Sequence, residues 1–165
     1  MRLLGIRRRF TGAPYGTNRD KQEENLFLTT RASQWMLRGM SDDSNVDMVA
    51  IVNVDDAGYD CWYCADVDAW ALEHLYDAGV TGIDFMDRFG FETLEVPAGA
   101  YGVFRTAAMA HPTDAYMELR KRVAQEWIPG TGYALRQAPE LAVYHWFPRE
   151  RRDRRFIEVW IPIEE

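Results

Sequence analysis

Three common routes to function are missing or thin in this sequence of 165 residues. There are only two cysteines, both in "CWYC", and the three histidines are scattered at 74, 111 and 145. A lone C-x-x-C without a second ligand pair is a poor metal or redox signal, and strand alternation sends Cys61 and Cys64 to opposite faces. Plain packing is the expected role for both, with no metal and no cofactor. No apolar run approaches the length of a membrane-crossing helix, and the opening "MRLLGIRRRF" has no h-region behind its charges. A cytoplasmic protein is expected. Glycine-rich phosphate loops, nucleophile elbows and paired nucleophile and base are absent from the chain.

Charge excludes more. The formal net charge is −7, which disfavours direct contact with nucleic acid and favours a cationic guest. What is plentiful is aromatic: 13% of residues, six of them Trp and eight Tyr. Such side chains build cores, and they also line binding clefts.

The chain reads as one pattern used twice. A strand over 3–10 precedes a turn-rich stretch and a helix over 20–38, whose stripe is Leu26, Thr30, Ser33 and Leu37. Strands at 46–54 and 59–67 follow, joined by a turn at 55–58. After a connection at 68–92 that includes a short helix in "DAWALEHLY", the order recurs. It runs as a strand over 92–107 with a Pro-Ala-Gly break, a helix over 111–127, and strands at 140–147 and 155–163. Residues 1–67 and 93–165 thus form two modules of one domain, with 68–92 as linker. Each alone is too small to bury its helix, whereas side by side they share one sheet. A ligand cleft is expected at the junction.

Alternation in the last two strands suggests the site. Glu158 and Trp160 share a face opposite Ile157, Val159 and Ile161. Glu140, Ala142, Tyr144 and Trp146 share a face of the preceding strand. A hairpin would then gather Tyr144, Trp146, Trp160, Glu140 and Glu158 into one acidic, aromatic patch suited to a flat or cationic guest. Glu158 equally suits the open face of an antiparallel sheet, paired with an arginine of 149–155. Asp42, Asp43, Asp47, Asp55 and Asp56 read as turn chemistry around the first hairpin.

The C-terminal motifs "LEVPAGAYGVFRT", "EWIPGTGYAL", "APELAVYHW" and "FIEVWIPI" together resemble the GyrI-like small-molecule-binding domain. That family also supplies the effector-binding domain of AraC-type and MerR-type multidrug-responsive regulators. The resemblance implies an α+β fold of two β-α-β-β modules in pseudo-twofold arrangement, with an antiparallel sheet, two main helices and a central ligand cleft. It carries Tyr101, Trp127, Tyr133, Tyr144, Glu158 and Trp160 to the site, and moves Glu158 from the open face into the cleft. One position departs: Ala142 stands where many relatives carry a glutamate two residues before the tyrosine. The deep acid is then missing or replaced by Glu140 or Glu158, and Trp62 is placed to shape a more neutral pocket.

The resemblance implies a stand-alone module binding a small aromatic or cationic molecule, for sensing or sequestration. Two other readings stand beside it. Some relatives hydrolyse reactive cyclopropane-containing natural products, which would make Glu158 a base and Tyr144 a donor. Others inhibit a DNA-handling enzyme such as gyrase, which would make a protein the partner.

Overall fold

The computed structural model describes residues 1–74 and 78–164. Seven strands among them form one antiparallel sheet: β1 (Arg2–Thr11), β2 (Val46–Val52), β3 (Gly58–Asp66), β4 (Glu92–Glu95), β5 (Tyr101–Arg105), β6 (Glu140–His145) and β7 (Phe156–Pro162). Their spatial order is β4-β1-β3-β2-β6-β7-β5. Leaving β4 aside, β1-β3-β2 mirrors β5-β7-β6, with the pseudo-twofold axis at the β2–β6 seam. The expected α+β repeat is therefore what the chain builds.

Two expected elements divide. The helix over 20–38 is α1 (Arg19–Thr29) and α2 (Arg31–Met40), parted at Thr30, whose φ of −114° and ψ of 16° leave the helical region. Gln34 spans the break by donating from Nε2 to the Phe27 carbonyl at 2.8 Å and to Thr30 Oγ1 at 2.9 Å. A local substitute for lost backbone bonds makes the break tolerable. The strand read over 92–107 is likewise two strands at opposite rims. β4 pairs with β1 and β5 with β7.

That division shapes the sheet. Six strand spacings span roughly 29 Å in a flat sheet. Glu95 and Tyr101 are joined by a chain that reaches roughly 21 Å at most. The sheet must curl until its rims approach. Its concave side holds a second, smaller core of Leu3, Met48, Trp62, Cys64, Val96 and Leu141.

The linker holds α3 (Ala69–His74), the short helix expected there, with α4 (Ala78–Thr81) and α5 (Phe85–Phe89). Residues 75–77 of that expected stretch lie outside those described. In the second half, α6 (Thr113–Arg122) runs on into a wider π turn over Val123–Trp127.

The main core lies between the sheet and α1, α2 and α6. One row of directly paired residues faces it: Ile6, Tyr63, Val49, Ala142, Val159 and Phe104. The next row faces the other way: Arg7, Trp62, Ala50, Leu141, Trp160 and Val103. Cys61 and Cys64 are both fully buried, free, and divided between the two cores. Burial pushes both thiols well above their ordinary range. Neither is expected to react with Ellman's reagent in the native protein, and both are expected to react in denaturant. Prompt labelling of the folded protein at neutral pH would contradict this burial.

Candidate functional site

A cavity of about 840 Å³ opens over the β2–β6 seam. It lies within the roughly 300–1,000 Å³ of small-molecule sites. Its walls come from both halves: α1 and α2 on one side, α6 on the other, and Asp47, Tyr63, Tyr144 and Trp146 below. Asp47 of β2 and Tyr144 of β6 are direct partners across the seam.

The floor is a ladder of rings. Trp146 stacks on Tyr144 with centroids 5.5 Å apart and planes 22° apart. Tyr144 meets Tyr116 of α6 at 5.6 Å, and Phe27 of α1 meets Tyr63 edge-on at 5.8 Å. Burial holds the Tyr144 hydroxyl protonated by pushing its pKa well up. The guanidinium of Arg155 lies over the Trp146 ring at 5.7 Å.

Two carboxylates sit deep beside these rings, in different electrostatic states. Asp47 is 2% exposed and saturated. Its Oδ1 accepts from Trp146 Nε1 at 2.9 Å. Its Oδ2 accepts from Tyr63 Oη at 2.7 Å and from Arg38 Nε and Nη2 at 2.9 and 2.5 Å. Charge-assisted bonds of this kind neutralise the acid and fix the indole that it holds. Glu23, also buried, takes Arg19 Nε at 2.6 Å and Arg120 Nη1 at 3.4 Å on the same oxygen, Oε1. Its Oε2 has no partner among the described residues, and Glu23 lines the cavity. Asp20 and the exposed Glu24 add further acid on the same wall.

Of the residues picked from the sequence, Tyr144 and Trp146 line this cavity. Glu140 lies beneath it, held by Arg19 Nη1 at 3.3 Å and by the Tyr15 hydroxyl. Trp127 packs edge-on against Phe104 at 4.8 Å, outside the cavity, and Tyr133 is 57% exposed. Trp62, Tyr101 and Trp160 belong to the concave side. Glu158 lies on that side too, accepting from Trp160 Nε1 at 3.1 Å and facing His145 Nε2 at 3.4 Å.

The single patch drawn from the last two strands is thus corrected. β6 and β7 pair Tyr144 with Ile157 and Leu141 with Trp160, so Tyr144 and Trp160 point to opposite faces. Glu158 and Tyr144 therefore cannot act on one substrate as base and donor. Asp47 is likewise not turn chemistry but a buried strand residue.

Glu23 and Asp47 both left a signal in the sequence. Glu23 extends the stripe Leu26–Thr30–Ser33–Leu37 one step back at the same spacing, an acid on a buried helical face. Asp47 alternates with Val49 and Ile51 inside a buried strand. An ionised group survives such a place only with partners, which is itself informative. Among the described residues no cluster of three or more His, Cys, Asp or Glu is placed to hold a metal ion, and no helix is long and apolar enough to cross a membrane.

A curled antiparallel sheet of two related halves, with helices on one face and a walled cavity over their seam, defines an effector-binding protein of GyrI-like fold. The chain belongs to the Cass2 family, described as integron-associated effector binding protein, which matches residues 10–163. Among solved structures it is similar to a Staphylococcus aureus MU50 protein described as a putative bacterial transcription regulation protein. That match has a TM-score of 0.64 at 11% identity and covers 99% of this chain and 92% of the other. SAV2435, solved bound to tetraphenylphosphonium, matches with a TM-score of 0.65 at 11% identity, covering 99% of this chain and 88% of the other. VCH_CASS2, an integron cassette protein of Vibrio cholerae, matches at 0.58 and 15% identity, covering 99% and 90%. No curated protein matches the chain.

Proposed function

We propose that this protein binds bulky aromatic cations in the seam cavity, for sensing or sequestration. The observation that carries the reading is the state of Glu23. One of its oxygens is committed to two arginines, the other has no partner among the described residues, and Glu23 lines a ring-walled cavity. A carboxylate in such surroundings attracts a cation far more strongly than one in water. Aromatic faces add attraction for the cation and area for its apolar substituents. Tetraphenylphosphonium, the compound in the SAV2435 structure, has this chemistry and supports the choice of probe.

Intrinsic tryptophan fluorescence provides the test, because Trp146 lines the cavity. Titration with tetraphenylphosphonium is expected to give saturable quenching. Trp146→Ala, which lacks this reporter and is titrated by calorimetry, is expected to bind roughly 3- to 30-fold more weakly, in line with the loss of one aromatic contact to a cation. Unaltered affinity in a folded Trp146→Ala protein, or no saturation in the parent, would sink the reading.

A further inference from the structure

Arg38 gives the cavity a second pole. Three arginines reach the carboxylates around the cavity. Arg19 bridges Glu23 and Glu140, and Arg120 bridges Glu23 and Asp20. Arg38 serves Asp47 alone. Its Nε and Nη2 are given to Asp47, and Nε also approaches Tyr63 Oη at 3.3 Å. Nη1 has no protein partner among the described residues. The side chain is one-third exposed (33%), and it lines both the main cavity and a smaller adjoining recess with Arg31, Gln34 and Trp35.

The two poles make unlike demands. At the α1 wall, Glu23, Glu140 and Asp20 share only Arg19 and Arg120, which leaves one negative charge in excess, and Glu23 Oε2 has no partner among the described residues. On the α2 wall, the charge of Asp47 is already matched by Arg38, and what remains there is an N–H that donates. A cation gains little at that charge-matched end, while an oxygen acceptor is welcome. Guanidinium groups readily take two carboxylates, as both neighbouring arginines do here.

Resting on the cation reading above, we infer that the preferred guest is an aromatic zwitterion. Its cationic centre lies against Glu23, and its carboxylate accepts from Arg38 Nη1. Arg38 is then the residue that separates such compounds from plain lipophilic cations.

The test uses ω-carboxyalkyl triphenylphosphonium compounds of graded tether length, each beside its ethyl ester, titrated against the full chain by calorimetry. The cation is common to each pair, and the flexible tether removes any dependence on one fixed geometry. At the best tether length the free acid is expected to bind about fivefold or more tighter than its ester, the scale of one charge-assisted hydrogen bond. Arg38→Met is expected to bring that ratio close to one, whatever its effect on the ester itself. The double variant Arg38→Met/Asp47→Asn removes both charges together, so no buried acid is left unpaired, and it is expected to behave the same way. Esters binding as tightly as acids at every tether length would overturn the zwitterion preference and leave the cation reading standing. A preference that survives both variants would overturn the role of Arg38. If neither acids, esters nor tetraphenylphosphonium bind, both readings fall.

Discussion

Replacing Glu23 with glutamine is expected to lower the affinity for tetraphenylphosphonium by at least tenfold. Two charges about 4 Å apart interact by about 4 kcal/mol at the effective dielectric of a partly buried site. Even a third of that, after allowance for cation desolvation, is a factor of about ten in Kd. The amide keeps an acceptor for Arg19 and Arg120, so the fold has its best chance of surviving. Asp47→Asn is the informative comparison. Asp47 is already neutralised by Arg38, Tyr63 and Trp146, so its loss of charge is expected to weaken the cation only a few-fold. Calorimetric titration of both variants measures the difference. Equal losses would show that the cavity responds to total charge, not to the buried Glu23 carboxylate in particular.

The largest expected effect on stability lies at Gly5, on β1. A Cβ there would sit 2.4 Å from the Tyr63 carbonyl oxygen and 2.5 Å from Cys64 Cβ. Both belong to β3, paired to β1 along its whole length and buried on both sides. Neither neighbour is the loose end of a side chain, so relief requires moving a strand of the sheet. Gly5→Ala is expected to cost at least ~3 kcal/mol, a loss that point substitutions reach only through a few mechanisms, overpacking among them. Urea unfolding followed by far-ultraviolet dichroism would show a lowered midpoint with little change in slope. Gly39→Ala is the control. Nothing lies within 4 Å of a Cβ at that helical position. There alanine is expected to stabilise by about 0.5–1 kcal/mol. If both substitutions proved neutral, the close approach of β1 to β3 would be refuted.

Much of the fold was legible because it rests on periodicity. The strands and the two main helices announced themselves through spacings of two and of three to four, and the repeat of their order placed a cleft at the junction. The site was less legible, and β6 shows why. Leu141 and Val143 alternate with Ala142 and Tyr144, so both of its faces are apolar and both are buried. Alternation identifies a wet face only when one exists. Without one, the register against β7 is open to a one-residue error, and such an error transfers every side chain to the other side. Here it set Trp160 and Glu158 beside Tyr144, when their partners are Leu141 and Val143. The same cause hid the second core. The curl that creates it comes from a chain too short to cross a flat sheet, a property of topology and not of any residue. The acid is hidden differently: alternation points to Glu140 on the strand that carries Tyr144, while the buried carboxylate that lines the cavity, Glu23, belongs to α1.

The cavity over the seam has a thermodynamic consequence of its own. Its walls are divided between the first and second halves of the chain, which meet there through the pairing of β2 with β6. A guest in the cavity would touch both halves and act as a fastener between them. Occupancy and cohesion are then linked: a ligand at a hundred times its dissociation constant adds about 2.7 kcal/mol to the folded state. That is a sizeable share of what holds a domain of this size together. A protein built this way can report its guest through persistence alone, lasting longer when filled, without any part having to move.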